Sequence, residues 1–309
     1  MKNVFALAVA GVCLIFAAET RPVADILPVV PAGVEALSLS GESLISPAAD
    51  AATIEKFEAA KEDYDRDSMA AENIIWFGRR TAYLGNYRSA IEIFTEGIEK
   101  HPRDARMYRH RGHRYISIRE FDRAIADFEA ATGLIERQEN RIEPDGLPNS
   151  QNIPLTTTHG NIWYHLGLAY YLKQDWENAL RAFQNGYNLG GNDDNLVSTG
   201  HWIYMIYRRM GMPAEAAAAL EDISPDMNIV ENRSYHELCL LYKGEILIDE
   251  MMSANGDDPA NAAVAYGLAN WFYYNGDVAA SAAMLANILA GSSWSSFGFI
   301  AAEADRVSR

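Results

Sequence analysis

Five arginines and two histidines crowd one short run of this chain, RMYRHRGHRYISIR: Arg106, Arg109, Arg111, Arg114 and Arg119, with His110 and His113. The chain as a whole has 26 Lys plus Arg against 42 Asp plus Glu, a net charge of −16, so the run is a local reversal of sign. On a helix, Arg106, Arg109 and His113 fall at i, i+3 and i+7 and share one face. Guanidinium groups placed this way hold carboxylates, because the planar fork donates hydrogen bonds in pairs. The chemistry is anion recognition. A second use of the same charges is internal. Residues 139–159, ENRIEPDGLPNSQNIPLTTTH, carry Glu139, Glu143 and Asp145 around a Pro-Asp-Gly turn. A loop of this length folds back onto a neighbour or does a job. Laid over the arginines, Glu143 and Asp145 would pair with them. Both uses stand open, and they can coexist.

Other chemistries find less support. His110 and His113 stand at i, i+3, whereas His159, His165, His201 and His236 are scattered over later segments. A metal needs three or four ligands within reach of one point, and neither HExxH nor a paired-Cys motif occurs, so no metal is expected. G-x-S-x-G, the phosphate-binding P-loop and the dinucleotide G-x-G-x-x-G are likewise missing, so no catalytic residue and no cofactor are assigned. The abundant carboxylate pairs read as solvated helix faces. A charge of −16 opposes nucleic acid, whose phosphates need a basic footprint. It also repels anionic membranes.

The elements that position these residues emerge from self-similarity. Three windows align: 71–104, 105–138, and one beginning at Gly160. Each has a Gly in its first half (Gly78, Gly112, Gly167), an Ala twelve residues on (Ala90, Ala124, Ala179), and an aromatic four after that (Phe94, Phe128, Phe183). Each breaks midway, at Gly85-Asn86, Arg119-Glu120 or Gln174-Asp175. The third window has Trp163, Leu166, Gly167, Tyr170, Ala179 and Phe183. This resembles the tetratricopeptide repeat, W-x2-L-G-x2-Y followed by A-x3-F. Weaker copies follow around Gly211, over 231–252 and over 262–290, so the resemblance covers roughly residues 71–295. It implies an all-α fold, a right-handed α-α superhelix: a TPR-like solenoid of about six helix pairs with a concave groove. The tail SSWSSFGFIAAEADRVSR is expected to be a terminal helix capping the stack.

By the same resemblance, the first helix of each pair lines the groove. Arg79 then joins Arg106, Arg109 and His113 there, as in chaperone-binding members of the family that clamp a partner's terminal carboxylate. Tyr164, Leu168 and Tyr171 share the groove-facing spacing, so Tyr164 and Tyr171 are expected to give apolar contact, while Trp163 and Tyr170 match interior positions. Arg111 stands where the family has Leu, and a cation facing its neighbour helix needs a carboxylate partner. The implied function is a non-enzymatic scaffold binding a protein or peptide segment with acidic or carboxylate groups. One alternative is a metal-binding protein or hydrolase built on the same solenoid, using His110, His113 and His159 near the insert. Another is a structural element whose groove is filled by its own insert.

The amino terminus sets the expected location. One Lys precedes the charge-free stretch Val4–Ala18, the pattern of a signal peptide, here 1–20. At fifteen residues the stretch is short of the roughly 20 that span a bilayer. A periplasmic or secreted protein follows, with an uncleaved anchor as the alternative. Pro22, Pro28, Pro31 and Pro47 make 21–50 a Pro-rich flexible tether. The repeat domain then runs over 51–309 with its inserted loop at 139–159. Only Cys13 and Cys239 are present. Removing the signal leaves Cys239 alone, without an internal disulfide, and it reads as a small buried hydrophobe.

Overall fold

In the computed structural model, residues 27–189, 191–255 and 262–308 are described, and the expected signal peptide lies outside them. Helix α1 (Ala51–Arg66) opens the stack, followed by the pairs α2 (Ala71–Tyr83) and α3 (Tyr87–Lys100), α4 (Ala105–Ser117) and α5 (Phe121–Ile135), and α6 (Thr158–Leu172) and α7 (Trp176–Asn188). Beyond these come α8 (Asp193–Arg209) with α9 (Pro213–Ala218), α10 (Arg233–Lys243) with α11 (Ile248–Asn255), α12 (Ala262–Tyr274) with α13 (Val278–Ala290), and finally α14 (Phe297–Ser308). From α1 to α9 each helix packs on its sequence neighbour, α10 packs on α8, α11 and α12, and α2, α4 and α6 also lie side by side. The architecture is a TPR-like solenoid of helix pairs, as the periodicity predicts.

The repeat signature has a direct steric cause. A Cβ on Gly78 would stand 2.5 Å from the Phe94 ring, one on Gly112 2.9 Å from Phe128, and one on Gly167 2.8 Å from Phe183. The aromatic of the second helix therefore fills the notch that the glycine of the first leaves open. Ala90, Ala124 and Ala179 are fully buried beside it. Helix starts are fixed by side chains that accept from free backbone N–H groups: Asp104, Thr157, Asp175, Asn192 and Asp277. Cys239 is buried and free, as expected for a packing residue.

The turns within pairs need a residue of positive φ. Gly85, Gly211 and Gly276 supply it in three of them. In the second and third pairs Arg119 (φ 67°) and Gln174 (φ 60°) take the place, at a cost of roughly 1–2 kcal/mol each. Both side chains recover part of this by gripping α14. Arg119 Nε donates to Glu303 Oε2 at 2.9 Å and Arg119 Nη2 to the Trp294 carbonyl at 2.8 Å. Gln174 bonds the Ser308 hydroxyl.

Two expectations are corrected. The described part of the tether, 27–50, is a strap packed on the stack. Its hairpin, β1 (Ala36–Leu37) with β2 (Ser43–Leu44), puts Ala36 and Leu44 into the main core. Arg88 Nη2 donates to the Pro28 carbonyl at 2.7 Å and Arg88 Nε to the Glu35 carbonyl at 2.9 Å. Ser46 Oγ donates to the Gly85 carbonyl at 2.7 Å. Proline suits an extended strap as well as a tether, since it gives up a donor and keeps a carbonyl to accept with.

The tail, for its part, is no end cap. Helix α14 packs on α6, α12 and α13, and through Phe297 it reaches His113 of α4, so it fills the inner side of the stack. Gly298 makes the crossing possible, because a Cβ there would run into the Ala262 carbonyl. Gly298→Ala is expected to cost about 1–3 kcal/mol, read as a lower urea midpoint. An unchanged midpoint would show that α14 is not seated this tightly.

Candidate functional site

The insert decides where the arginines go. Its two ends zip together through an Ile142–Thr157 bridge, with Glu143 N donating to the Thr156 carbonyl and Thr158 N to the Arg141 carbonyl, both at 2.9 Å. Glu143 and Asp145 line an inner cavity against α2 and α4, whereas Arg141 and Ile142 line an outer cleft; Pro144 borders both. The predicted cationic set is thereby divided. Arg79, Arg109 and His113 line the inner cavity, and Arg106 stands in the outer cleft.

The inner cavity measures about 250 Å³. Arg109 is buried there and pairs with Glu143, Nη2 to Oε1, at 3.1 Å. Its Nη1 lies 2.8 Å from His110 Nδ1, while its Nε is buried without a partner. Glu143 Oε2 also accepts from Asn161 Nδ2 at 3.0 Å. Arg79 donates to the Pro144 carbonyl at 2.8 Å and lies over Trp76, 4.5 Å from the ring centre. Arg114, buried, stacks on Tyr87 at 5.6 Å and has neither ion pair nor hydrogen bond among the described residues. Burial, then the neighbouring arginines, lowers its pKa to about 10. Burial first, and then the nearby arginines, holds His110 and His113 well below the usual imidazole value, so both are neutral. His113 Nδ1 is also buried without a partner.

The outer cleft is larger, about 900 Å³, and lies at the N-terminal ends of α4 and α6. Arg106 pairs with Asp104, Nη2 to Oδ2, at 2.7 Å and also with Glu72. Arg141 pairs loosely with Glu139 at 3.4 Å. Arg103 is exposed and has no ion pair among the described residues. His159 lines this cleft too; its backbone N donates to Asn140 Oδ1, and the α6 cap itself is Thr157.

The remaining cations serve the fold. Arg111 does have the carboxylate partner that its position demands, though it comes from its own helix pair: Nη2 to Asp127 Oδ1 at 2.7 Å and Nε to Oδ2 at 2.8 Å. Tyr164 and Tyr171 do not present the expected groove surface. Tyr171 is buried edge-on against Trp202 at 4.8 Å, and its hydroxyl meets that of Tyr266 at 2.9 Å. Tyr164 packs edge-on against Phe183 and accepts from Trp202 Nε1 at 2.8 Å. With α14 seated inside the stack, this face is interior. Sequence reasoning left Arg114 out of the anion set. The signal was there, since Arg109, His110, His113 and Arg114 form an i, i+1, i+4, i+5 stripe on one helix face. Among the described residues no group of three or more His, Cys, Asp and Glu is placed to hold a metal.

Residues 162–185 match the family model of the tetratricopeptide repeat. No curated protein matches the chain. Among solved structures, the chain is similar to YrrB, described as a TPR protein with an unusual peptide-binding site, at 17% identity over 76% of this chain and 92% of that one, TM-score 0.42. It is similar to MamA at 17% identity over 61% and 87%, TM-score 0.42. MamA from Desulfovibrio magneticus RS-1 gives 19% over 55% and 82%, TM-score 0.42. The chain carries a tetratricopeptide repeat within a stack of similar helix pairs.

Proposed function

We propose that this tetratricopeptide-repeat chain is a non-enzymatic scaffold, exported to the bacterial envelope, that holds an acidic or carboxylate-bearing segment of a protein partner in its outer cleft. The observation that supports this most is the cleft itself. It lies on the far side of the insert from the inner cavity, and Arg103, Arg106 and Arg141 border it beside Glu72, Asp104 and Glu139. Two helix N-termini, those of α4 and α6, open on the same space and favour negative groups. The export reading rests on the charge-free stretch Val4–Ala18 behind Lys2. Arg79, Arg109 and His113 lie behind the insert, so of the cationic residues expected to touch a partner, Arg106 is the one this cleft presents.

The test is a double reversal, Arg103→Glu with Arg106→Glu, in a pull-down from envelope extract. Hydrogen bonds to charged groups contribute about 1.5–3 kcal/mol each, so partner recovery should fall at least tenfold and the wild-type interaction should weaken with salt. Undiminished recovery by a folded double variant would remove the cleft from consideration.

A further inference from the structure

We infer that the cavity closed off by the insert is a binding site for one small dianion, phosphate or a short dicarboxylate. It is separate from the outer cleft, and neither reading depends on the other. Three guanidinium groups, those of Arg79, Arg109 and Arg114, converge on a space of about 250 Å³. That is below the range of drug-sized pockets and suits a small ion. The insert also bars a chain, for Gly146 sits so close to Tyr83 and Arg79 that a Cβ would collide with both.

Three carboxylates line the cavity beside the three arginines, so the formal charges match in number, but their direct contacts do not. Glu143 is the carboxylate in contact with the arginines, and it takes one of them, Arg109. Asp145 and Glu231 also line the cavity but make no ion pair among the described residues. Arg114 is left with a ring face and no anion. A buried guanidinium without a counter-charge is costly to the fold. Arg109 Nε and His113 Nδ1 are two further buried atoms without partners on the same wall. His110 and His113, being neutral, add no charge of their own but have ring nitrogens that can donate. A dianion on Arg114, within reach of Arg79 and Arg109, completes this set. Forked N–H groups suit the two oxygens of a carboxylate or a phosphate alike.

The experiment follows thermal unfolding of the full chain by tryptophan fluorescence, with phosphate, succinate or chloride added at matched ionic strength. Phosphate or succinate should raise the melting temperature saturably and chloride should not. The arm that responds identifies the source, and a response to both defines the site as one for small dianions. Arg114→Met removes the uncompensated charge while keeping an apolar stem. It should fold at least as stably as wild type and bind at least tenfold more weakly. Glu143→Gln removes the competing carboxylate and should bind at least tenfold more tightly. Arg106→Gln, in the outer cleft, should titrate like wild type. The inference fails if neither dianion shifts the wild-type transition. It fails equally if Arg114→Met responds as wild type does, or if Glu143→Gln gains nothing. Binding of a peptide with a free carboxyl end, with neither small anion active, would make this a chain-terminus site and overturn the inference as well.

Discussion

Asp305→Ala is expected to destabilise the protein by about 3–5 kcal/mol, the cost of breaking a buried ion pair from one side. Asp305 is 1% exposed and sits on α14. Its two oxygens accept from Arg209 of α8 at 2.8 and 3.1 Å, and Oδ2 also accepts from the Tyr266 hydroxyl of α12 at 3.0 Å. Arg209 is held between Trp176 and Tyr273, 5.0 and 5.3 Å from their ring centres, so it has little freedom to turn out to water. Removing the carboxylate strands that charge. The same change unties the Tyr266–Tyr171 hydroxyl pair from its acceptor. Replacing both partners with apolar residues, Arg209→Met with Asp305→Leu, should be close to neutral. Urea midpoints measure both variants against wild type. A loss below about 1 kcal/mol, the range of an exposed pair, would mean that α14 is not seated within the stack.

The second large effect is acid lability. Four imidazoles are held neutral by the fold. Burial is the main cause for His110, His113 and His165, reinforced by Arg109 and Arg114, and all three lie well below the ordinary value. His201 is pushed down to about 3 by burial alone. In the unfolded chain each returns to about 6.5. The folded values are depressed, so below pH 6.5 the unfolded state takes up protons that the native state refuses. Stability is therefore complete above about pH 7.5 and falls progressively below 6.5. By pH 5.5 the four together have cost on the order of several kcal/mol. That rivals the whole stability of an ordinary domain, about 5–15 kcal/mol. Asp145 and Glu231, raised chiefly by burial, work in the opposite sense, but in the lower carboxylate range. Urea titrations at pH 7.5, 6.5 and 5.5 would show the midpoint dropping with each step. Equal midpoints at 7.5 and 5.5 would mean that the native state accommodates charged imidazoles.

How much of this was legible in the sequence depended on distance along the chain. Gly112 and Phe128 are sixteen residues apart and belong to one helix pair, so their packing leaves a repeating local mark. The insert was half legible. Its acids were visible, and Glu143 does meet Arg109, but the course that leaves Arg106 on the other side of it depends on the bridge between Ile142 and Thr157. The tail was legible as a helix, but where the strap and α14 pack left no mark. Arg119 meets Glu303 across 184 positions, and no spacing rule reaches that far. Tyr171 was misjudged for the same reason. The groove-facing rule assumes an empty groove, and nothing near Tyr171 announces that Tyr266 of α12, 95 positions on, meets it there.

The meeting of the strap with the segment before α14 alters how such a chain can come together. Trp294 Nε1 donates to the Ile45 carbonyl at 2.8 Å across 249 positions, and the Trp294 ring packs edge-on against Tyr87 at 5.4 Å. Open solenoids gain order unit by unit from either end, because each unit touches only its neighbours. Here the two extremities are fastened to each other, so fraying at one releases a contact needed by the other, and melting becomes all-or-none. During synthesis the early pairs emerge long before residue 294, so the clasp waits until the 249 positions between its two halves have left the ribosome.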